Sequence, residues 1–159
     1  MKIAVFAGTF DPVTKGHEYV VNKSLESFDK VFVVIADNAN KTPLFSLDDR
    51  RNFLEKTFAD NDRVEIFVHH GLMMDFMKGK GLIHYVRGIR NSSDLPYEKK
   101  MLDFNKSIYP DLNTVFIYSP DKYQKFSSSL VRGATDVEVI KEAVPQVIFD
   151  EVMDRLLKK

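Results

Sequence analysis

Five short runs of the chain are almost continuously apolar and rich in Val, Ile and Phe: Lys2–Ala7, Lys30–Ala36, Arg63–His69, Leu82–Arg87 and Thr114–Tyr118. A strand with one wet face alternates apolar and polar residues. A strand covered on both faces does not, because each side chain enters a dry layer. Helical segments separate these runs. Together they predict a doubly wound α/β fold: a five-stranded parallel sheet, helices on both faces, and one domain over residues 1–159.

The helical segments carry their own signals. "SLDDRRNFLEKTFA" opens at Ser46 with Asp49 three residues on, close to a capping box, and Leu47, Leu54 and Phe58 share a face. "YEKKMLDFNKSI" places Tyr97, Met101, Phe104 and Ile108 on one stripe of a helix. "GLMMDFMKG" reads as a short helix between glycines. "PQVIFDEVMDRLLKK" puts Pro145 at a first helical position and ends basic, which suits the helix dipole. Ser119–Phe126 reads as the longest structureless piece. No repeat, linker or low-complexity tract interrupts the order.

Composition narrows the functional classes. With 44% apolar residues, a chain of 159 can bury a sizeable core. Its 23 basic and 23 acidic residues cancel, and a protein that grips a nucleic acid backbone shows a basic surplus. Any bound anion is therefore expected to be small and held locally, with no nucleic acid partner. The absence of cysteine removes disulfides and thiol nucleophiles. "MKIAVFAG" is too short for the core of a signal peptide, and no run approaches a membrane span. A cytoplasmic protein without membrane contact is expected.

In such folds ligands bind at the carboxyl edge of the sheet, so the informative residues follow strands. Three groups do. In "GTFDPVTKGH", Gly8 ends the first run and allows close backbone approach, while Gly16 and His17 open the next helix. Unpaired N–H groups and the helix dipole favour a phosphate there, and disfavour a cationic imidazole, leaving His17 as a neutral donor. The plainer alternative is that Thr14 caps the helix and His17 sits in solvent. In "VRGIRNSSD", Arg87 closes the fourth run, Gly88 permits approach and Arg90 follows. Either the two arginines clamp phosphate, or they pair with Asp94 or Glu98. In "FSSSLVRG", Ser127, Ser128 and Ser129 sit at a helix start with Arg132 one turn on, which fits an anion site or an ordinary serine N-cap. Lys41, after the second run, adds a cation or is simply a surface lysine. The glycine spacing matches neither GxGxxG nor GxxxxGK[ST].

"GTFDP", "TKGH", "RGIR", "YE" and "SSSLVR", in this order over nearly the whole chain, resemble the phosphopantetheine adenylyltransferases of the nucleotidyltransferase α/β superfamily. Thr14 stands where related cytidylyltransferases and nicotinate mononucleotide adenylyltransferases usually carry a histidine. The resemblance implies a Rossmann-like fold and transfer of the adenylyl group of ATP to 4′-phosphopantetheine, giving dephospho-coenzyme A and pyrophosphate. It implies that His17, Lys41 and Arg90 stabilise charge in the transition state, with Mg²⁺ held mainly by substrate phosphates and by no metal-ligating residue of the chain. Thr9, Lys41, Met73 and Arg87 would hold the acceptor. Thr9, Phe10, His17, Gly88, Ile89, Arg90 and Glu98 would contact ATP, with Tyr123, Gln124, Lys125, Phe126, Ser127, Ser128 and Ser129. A homohexamer and inhibition by coenzyme A belong to the same expectation. Tyr19, Pro96 and Gly133 depart from the family pattern, and Gly133 interrupts the helix expected after Ser129. Relatives acting on glycerol phosphate or nicotinate mononucleotide, and a non-catalytic nucleotide sensor, are the competing readings. TxGH with "RGIR" weighs against the former, and His17, Lys41, Arg87 and Arg90 together weigh against the latter.

Overall fold

The computed structural model describes residues 1–158. Strands β1 (Ile3–Gly8), β2 (Lys30–Ala36), β3 (Val64–His69), β4 (His84–Ile89) and β5 (Asn113–Tyr118) form one parallel sheet in the order β3-β2-β1-β4-β5. The helices are α1 (Lys15–Ser24), α2 (Leu47–Thr57), α3 (Met73–Gly79), α4 (Leu95–Ile108), α5 (Asp121–Gln124), α6 (Ser128–Gly133), α7 (Val137–Ala143) and α8 (Phe149–Leu157). Single 3₁₀ turns occupy Ser92–Asp94 and Gln146–Ile148. Alternate residues of β1 feed two dry layers, which is why its run is unbroken. Ala4 and Phe6 pack with Val20, Val21, Phe53 and Ile148, whereas Val5 and Ala7 pack with Val34, Met74, Met77 and Tyr85.

The winding positions the site. From β1 the chain adds β2 and β3 on one side, then crosses to lay β4 and β5 on the other. Crossovers leave the carboxyl ends of β1 and β4 in opposite directions, and a crevice opens between them. Here it opens early. β1 pairs with β2 as far as Gly8↔Ile35, and β4 pairs with β5 as far as Ile89↔Tyr118. Between β1 and β4 the pairing stops at Phe6↔Val86. Beyond that point the central strands diverge.

Several sequence expectations need correction. β4 runs to Ile89, so Arg87 and Gly88 lie within the strand; pairing with β5 continues the ladder past the first charged residue. The stretch Ser119–Phe126 contains α5, and the longest piece without helix or strand is residues 37–46. Pro145 precedes a 3₁₀ turn rather than starting a helix, and α8 begins at Phe149. Asp136 caps α7 by accepting the Glu138 N–H, an element the apolar pattern did not announce. The stripe of α4 meets the core only at its end, where Ile108 packs against the Met77 and Leu112 cluster. Tyr97 is 61% and Phe104 50% exposed, and the buried residue of the helix is Glu98. The helix is turned so that Glu98 meets Arg87 of β4.

Candidate active site

The loop from Gly8 to Thr14 joins β1 to α1 across the crevice. Thr14 is the N-cap, and both bonds of a capping box form with His17 in place of the usual acidic residue. The Thr14 hydroxyl accepts the His17 N–H at 3.4 Å, and His17 Nδ1 accepts the Thr14 N–H at 3.0 Å. An accepting Nδ1 carries no proton, so the ring proton of the neutral imidazole is on Nε2. Burial, then the charge of Arg90, lowers the His17 pKa to about 4. His17 is thus a neutral donor fixed at a helix start. Thr14 capping and a poised His17, which looked like alternatives in the sequence, are one arrangement. The Phe10 ring seals its back, meeting the imidazole edge-on at 4.9 Å and Phe6 at 5.6 Å. Phe10 itself adopts φ 50°, in the left-handed region that costs a non-glycine residue about 1–3 kcal/mol.

A cavity of about 700 Å³ fills the crevice. Arg87 reaches into it already engaged: Nε and Nη2 donate to the two Glu98 oxygens at 3.0 and 2.9 Å. Burial works against the Arg87 charge, but the Glu98 carboxylate outweighs it and raises the arginine's pKa. Nη1 takes no part in the bonds to Glu98. Lys41 and Arg90 line the same cavity and are exposed, and neither forms an ion pair among the described residues. The serines have structural duties. Ser127 caps α6 by accepting the Leu130 N–H, Ser128 Oγ donates to the Pro12 carbonyl, and Ser129 Oγ accepts from Arg132. The N-cap reading of that motif holds for Ser127, and Arg132, in the cavity wall, donates to the Asp11 carbonyl and to Ser129 Oγ.

Two of the glycines in the cavity wall also serve packing. A Cβ on Gly88 would stand 3.1 Å from Val20 of α1, and one on Gly16 would stand 3.1 Å from the Phe126 carbonyl. Both let α1 settle against its neighbours. Tyr19 stacks on Tyr123 with ring centres 5.1 Å apart, Pro96 sits in the first turn of α4, and Gly133 ends α6.

Sequence reasoning missed two buried charges. Asp11 accepts the N–H groups of Leu44 and Phe45, and Arg50 donates to the carbonyls of Thr9 and Phe45. Arg50 had a signal: it lies three residues after Leu47 and four before Leu54, a charge on the apolar face of α2. Asp11 had none, because Asp-Pro reads simply as a turn.

The cytidylyltransferase-like family model matches residues 5–134. A phosphopantetheine adenylyltransferase of Francisella philomiragia is 36% identical over 95% of this chain and 94% of its own. That of Thermotoga neapolitana is 36% identical over 96% and 98%, and that of Cytophaga hutchinsonii 43% over 82% and 87%. The chain belongs to the phosphopantetheine adenylyltransferase family. Among solved structures, a nicotinic acid mononucleotide adenylyltransferase of Plasmodium falciparum superposes with a TM-score of 0.66 at 19% identity, covering 99% of this chain and 95% of that one. That likeness is one of fold. In this adenylyltransferase-family chain the cavity wall includes Thr9, Phe10, His17, Lys41, Met73, Arg87, Gly88, Arg90 and Glu98. Tyr123, Phe126 and Ser127 to Ser129 complete its far side. Ile89, Gln124 and Lys125 lie off it. Ile89 is buried, the Gln124 amide donates to the Ser119 carbonyl, and Lys125 pairs with Glu142.

Proposed function

We propose that this chain transfers the adenylyl group of ATP to 4′-phosphopantetheine, releasing pyrophosphate and forming dephospho-coenzyme A. The observation that carries this reading is full-length likeness to relatives named for that activity. The chemistry fits the cavity. A phosphate monoester has a second pKa of about 6, so the acceptor arrives largely as a dianion and needs no general base. Its oxygen attacks the α-phosphorus in line, the new O–P bond forms, and the α–β bond breaks to release pyrophosphate. What the chain supplies is position and charge. The Nη1 edge of Arg87, with Lys41, Thr9 and Met73, holds the acceptor. Arg90, Gly88, Glu98 and the residues of 123–129 that line the cavity receive ATP. The His17 Nε2 proton meets oxygens whose charge grows along the reaction, and Lys41 and Arg90 add to it.

Mg²⁺ bound with the nucleotide would neutralise phosphate charge. No group of three His, Asp or Glu residues placed to hold a metal occurs among the described residues, and the Asp11 and Glu98 carboxylates are engaged by donors. This donor set fits an ion held by substrate phosphates and water. A smaller cavity of about 110 Å³ beside Arg87, lined by Met101, Leu102, Asn105 and Thr114, suits the pantetheine arm. It offers the Thr114 hydroxyl, a buried polar atom with no partner among the described residues. Coenzyme A carries the same arm and would compete there. Exposed Leu95, Tyr97, Phe104 and Tyr118 support assembly, with a homohexamer as the form proposed. No described helix is long and apolar enough to cross a membrane; a cytoplasmic setting is part of the proposal.

Pyrophosphate release from ATP is to be measured with 4′-phosphopantetheine, glycerol 3-phosphate and nicotinate mononucleotide as acceptors. Turnover with the first alone is expected. Equal or faster turnover with either of the others would overturn the assignment.

A further inference from the structure

Lys41 rides on the segment 37–46, which has neither helix nor strand and joins β2 to α2. Such connections are the mobile parts of a fold unless something holds them. The Lys41 side chain makes no ion pair among the described residues, so its place over the cavity is set by its backbone. That backbone is gripped by two buried charges. Asp11, 3% exposed, accepts the Leu44 N–H on one carboxylate oxygen and the Phe45 N–H on the other, each at 2.9 Å. Arg50, 2% exposed, donates to the Phe45 carbonyl at 3.1 Å, to the Thr9 carbonyl at 3.1 Å and to the Asp37 carboxylate at 3.3 Å. The segment is thus fastened at its start, Asp37, and at its end, Leu44 and Phe45. Both fastenings lead to Thr9–Asp11, the stretch that leads into His17. Arg132 joins the same hub, donating to the Asp11 carbonyl at 2.9 Å.

Burying a charge is costly, and an apolar side chain of similar size would fill the space at lower cost. These two charges do not pair with each other. Besides one ion pair each, Asp11 with Arg132 at 3.6 Å and Arg50 with Asp37 at 3.3 Å, they reach main-chain groups of separate segments, which is what fixing a geometry requires. We infer that Asp11 is a positioning residue for adenylyl transfer: it locks the Lys41 segment to the His17 segment so that both donors meet the same phosphates. The inference rests on the proposed role of Lys41. Misplacing a reacting or stabilising group by about 1 Å can lower a rate about 10²-fold, so the lock acts on kcat more than on ground-state binding.

The test is a double-mutant cycle on the full chain, assayed by pyrophosphate release from ATP and 4′-phosphopantetheine. It compares wild type, Asp11→Ala, Lys41→Ala and the double variant, with circular dichroism and thermal unfolding to confirm folding. Should Asp11→Ala not fold, Asp11→Asn takes its place, since its amide oxygen still accepts one N–H. Lys41→Ala is expected to lower kcat on the order of 10²-fold. Asp11→Ala is expected to lower kcat about tenfold or more, with KM for ATP changed less than about threefold. The double variant is expected within about threefold of Lys41→Ala, because the lock has nothing left to position. Losses that multiply, or a folded Asp11 variant within about twofold of wild-type kcat, would overturn the inference and leave the function standing. An unimpaired Lys41→Ala would overturn the role of Lys41 and this inference with it. Absence of turnover in wild type would overturn the proposed function itself.

Discussion

At His17 one ring nitrogen serves the backbone, which leaves the ring proton on the other. Nδ1 accepts the Thr14 N–H, and the cost of desolvating a cation, with Arg90 nearby, keeps the ring neutral down to a pH of about 4. A donor present in the ground state and strengthened by growing charge acts on kcat. His17→Ala should therefore lower kcat on the order of 10²–10³-fold while ATP affinity, measured by calorimetry, changes only severalfold. The same group sets a pH dependence of stability. The unfolded histidine binds a proton below 6.5, whereas the folded one resists until about 4. Its contribution is therefore full above 6.5 and is lost as pH falls through that window. Urea unfolding at pH 7 and pH 5 should show wild type losing roughly 1–2 kcal/mol more than His17→Asn. Arg87 carries a second residue-scale prediction. Arg87→Ala leaves the buried Glu98 carboxylate without its fork, so stability should fall by about 3 kcal/mol along with acceptor binding. Arg87→Met with Glu98→Leu should regain the stability in thermal unfolding but not the binding, which separates the fold's need from the substrate's.

Helix α1 is the element on which the site depends, because its first turn carries His17 and its flank packs on Gly88. Gly16→Ala would press a methyl group to 3.1 Å from the Phe126 carbonyl, a main-chain atom that cannot turn aside. It should cost about 1–3 kcal/mol in denaturant unfolding and lower kcat by shifting the start of α1. Gly133→Ala meets open space and should leave stability within about 0.5 kcal/mol of wild type. The elements differ in how far they could be read in advance. The strands were legible because a doubly covered sheet demands unbroken apolar runs, and the site loops were legible because they follow strands. The end of β4 was not, since a charged residue such as Arg87 looks like a terminus until the ladder to β5 is seen. The stripe of α4 announced the helix but not its rotation. Its period is that of a core helix, but the side turned inward is the one bearing Glu98, because the Arg87 guanidinium needs a buried partner. Asp11 gave no warning because its partners, the Leu44 and Phe45 N–H groups, lie far along the chain, which no local pattern reports; the Arg50 charge on the apolar face of α2 was visible, but not its reach to the Thr9 carbonyl.

For the molecule as a whole, strand order decides where chemistry happens. The sheet reverses between β1 and β4, pairing between them ends at Phe6↔Val86, and the crevice collects groups from loops far apart in sequence. The exposed apolar side chains Tyr97 and Phe104 on α4, the first also at the cavity rim, with Tyr118 on the edge strand β5, suit contact between copies of the chain. Sedimentation should find an assembly larger than a monomer, and Tyr97→Asp with Phe104→Asp should shift it toward lower mass. The central claim is that this crevice works by placing and neutralising phosphates, with the acceptor bringing its own nucleophilic charge. Steady-state pyrophosphate release from ATP, compared between 4′-phosphopantetheine and unphosphorylated pantetheine, tests it most directly. Turnover of the phosphorylated acceptor and none of pantetheine is the result predicted. Comparable turnover of pantetheine would mean that the crevice activates a hydroxyl, and would contradict it.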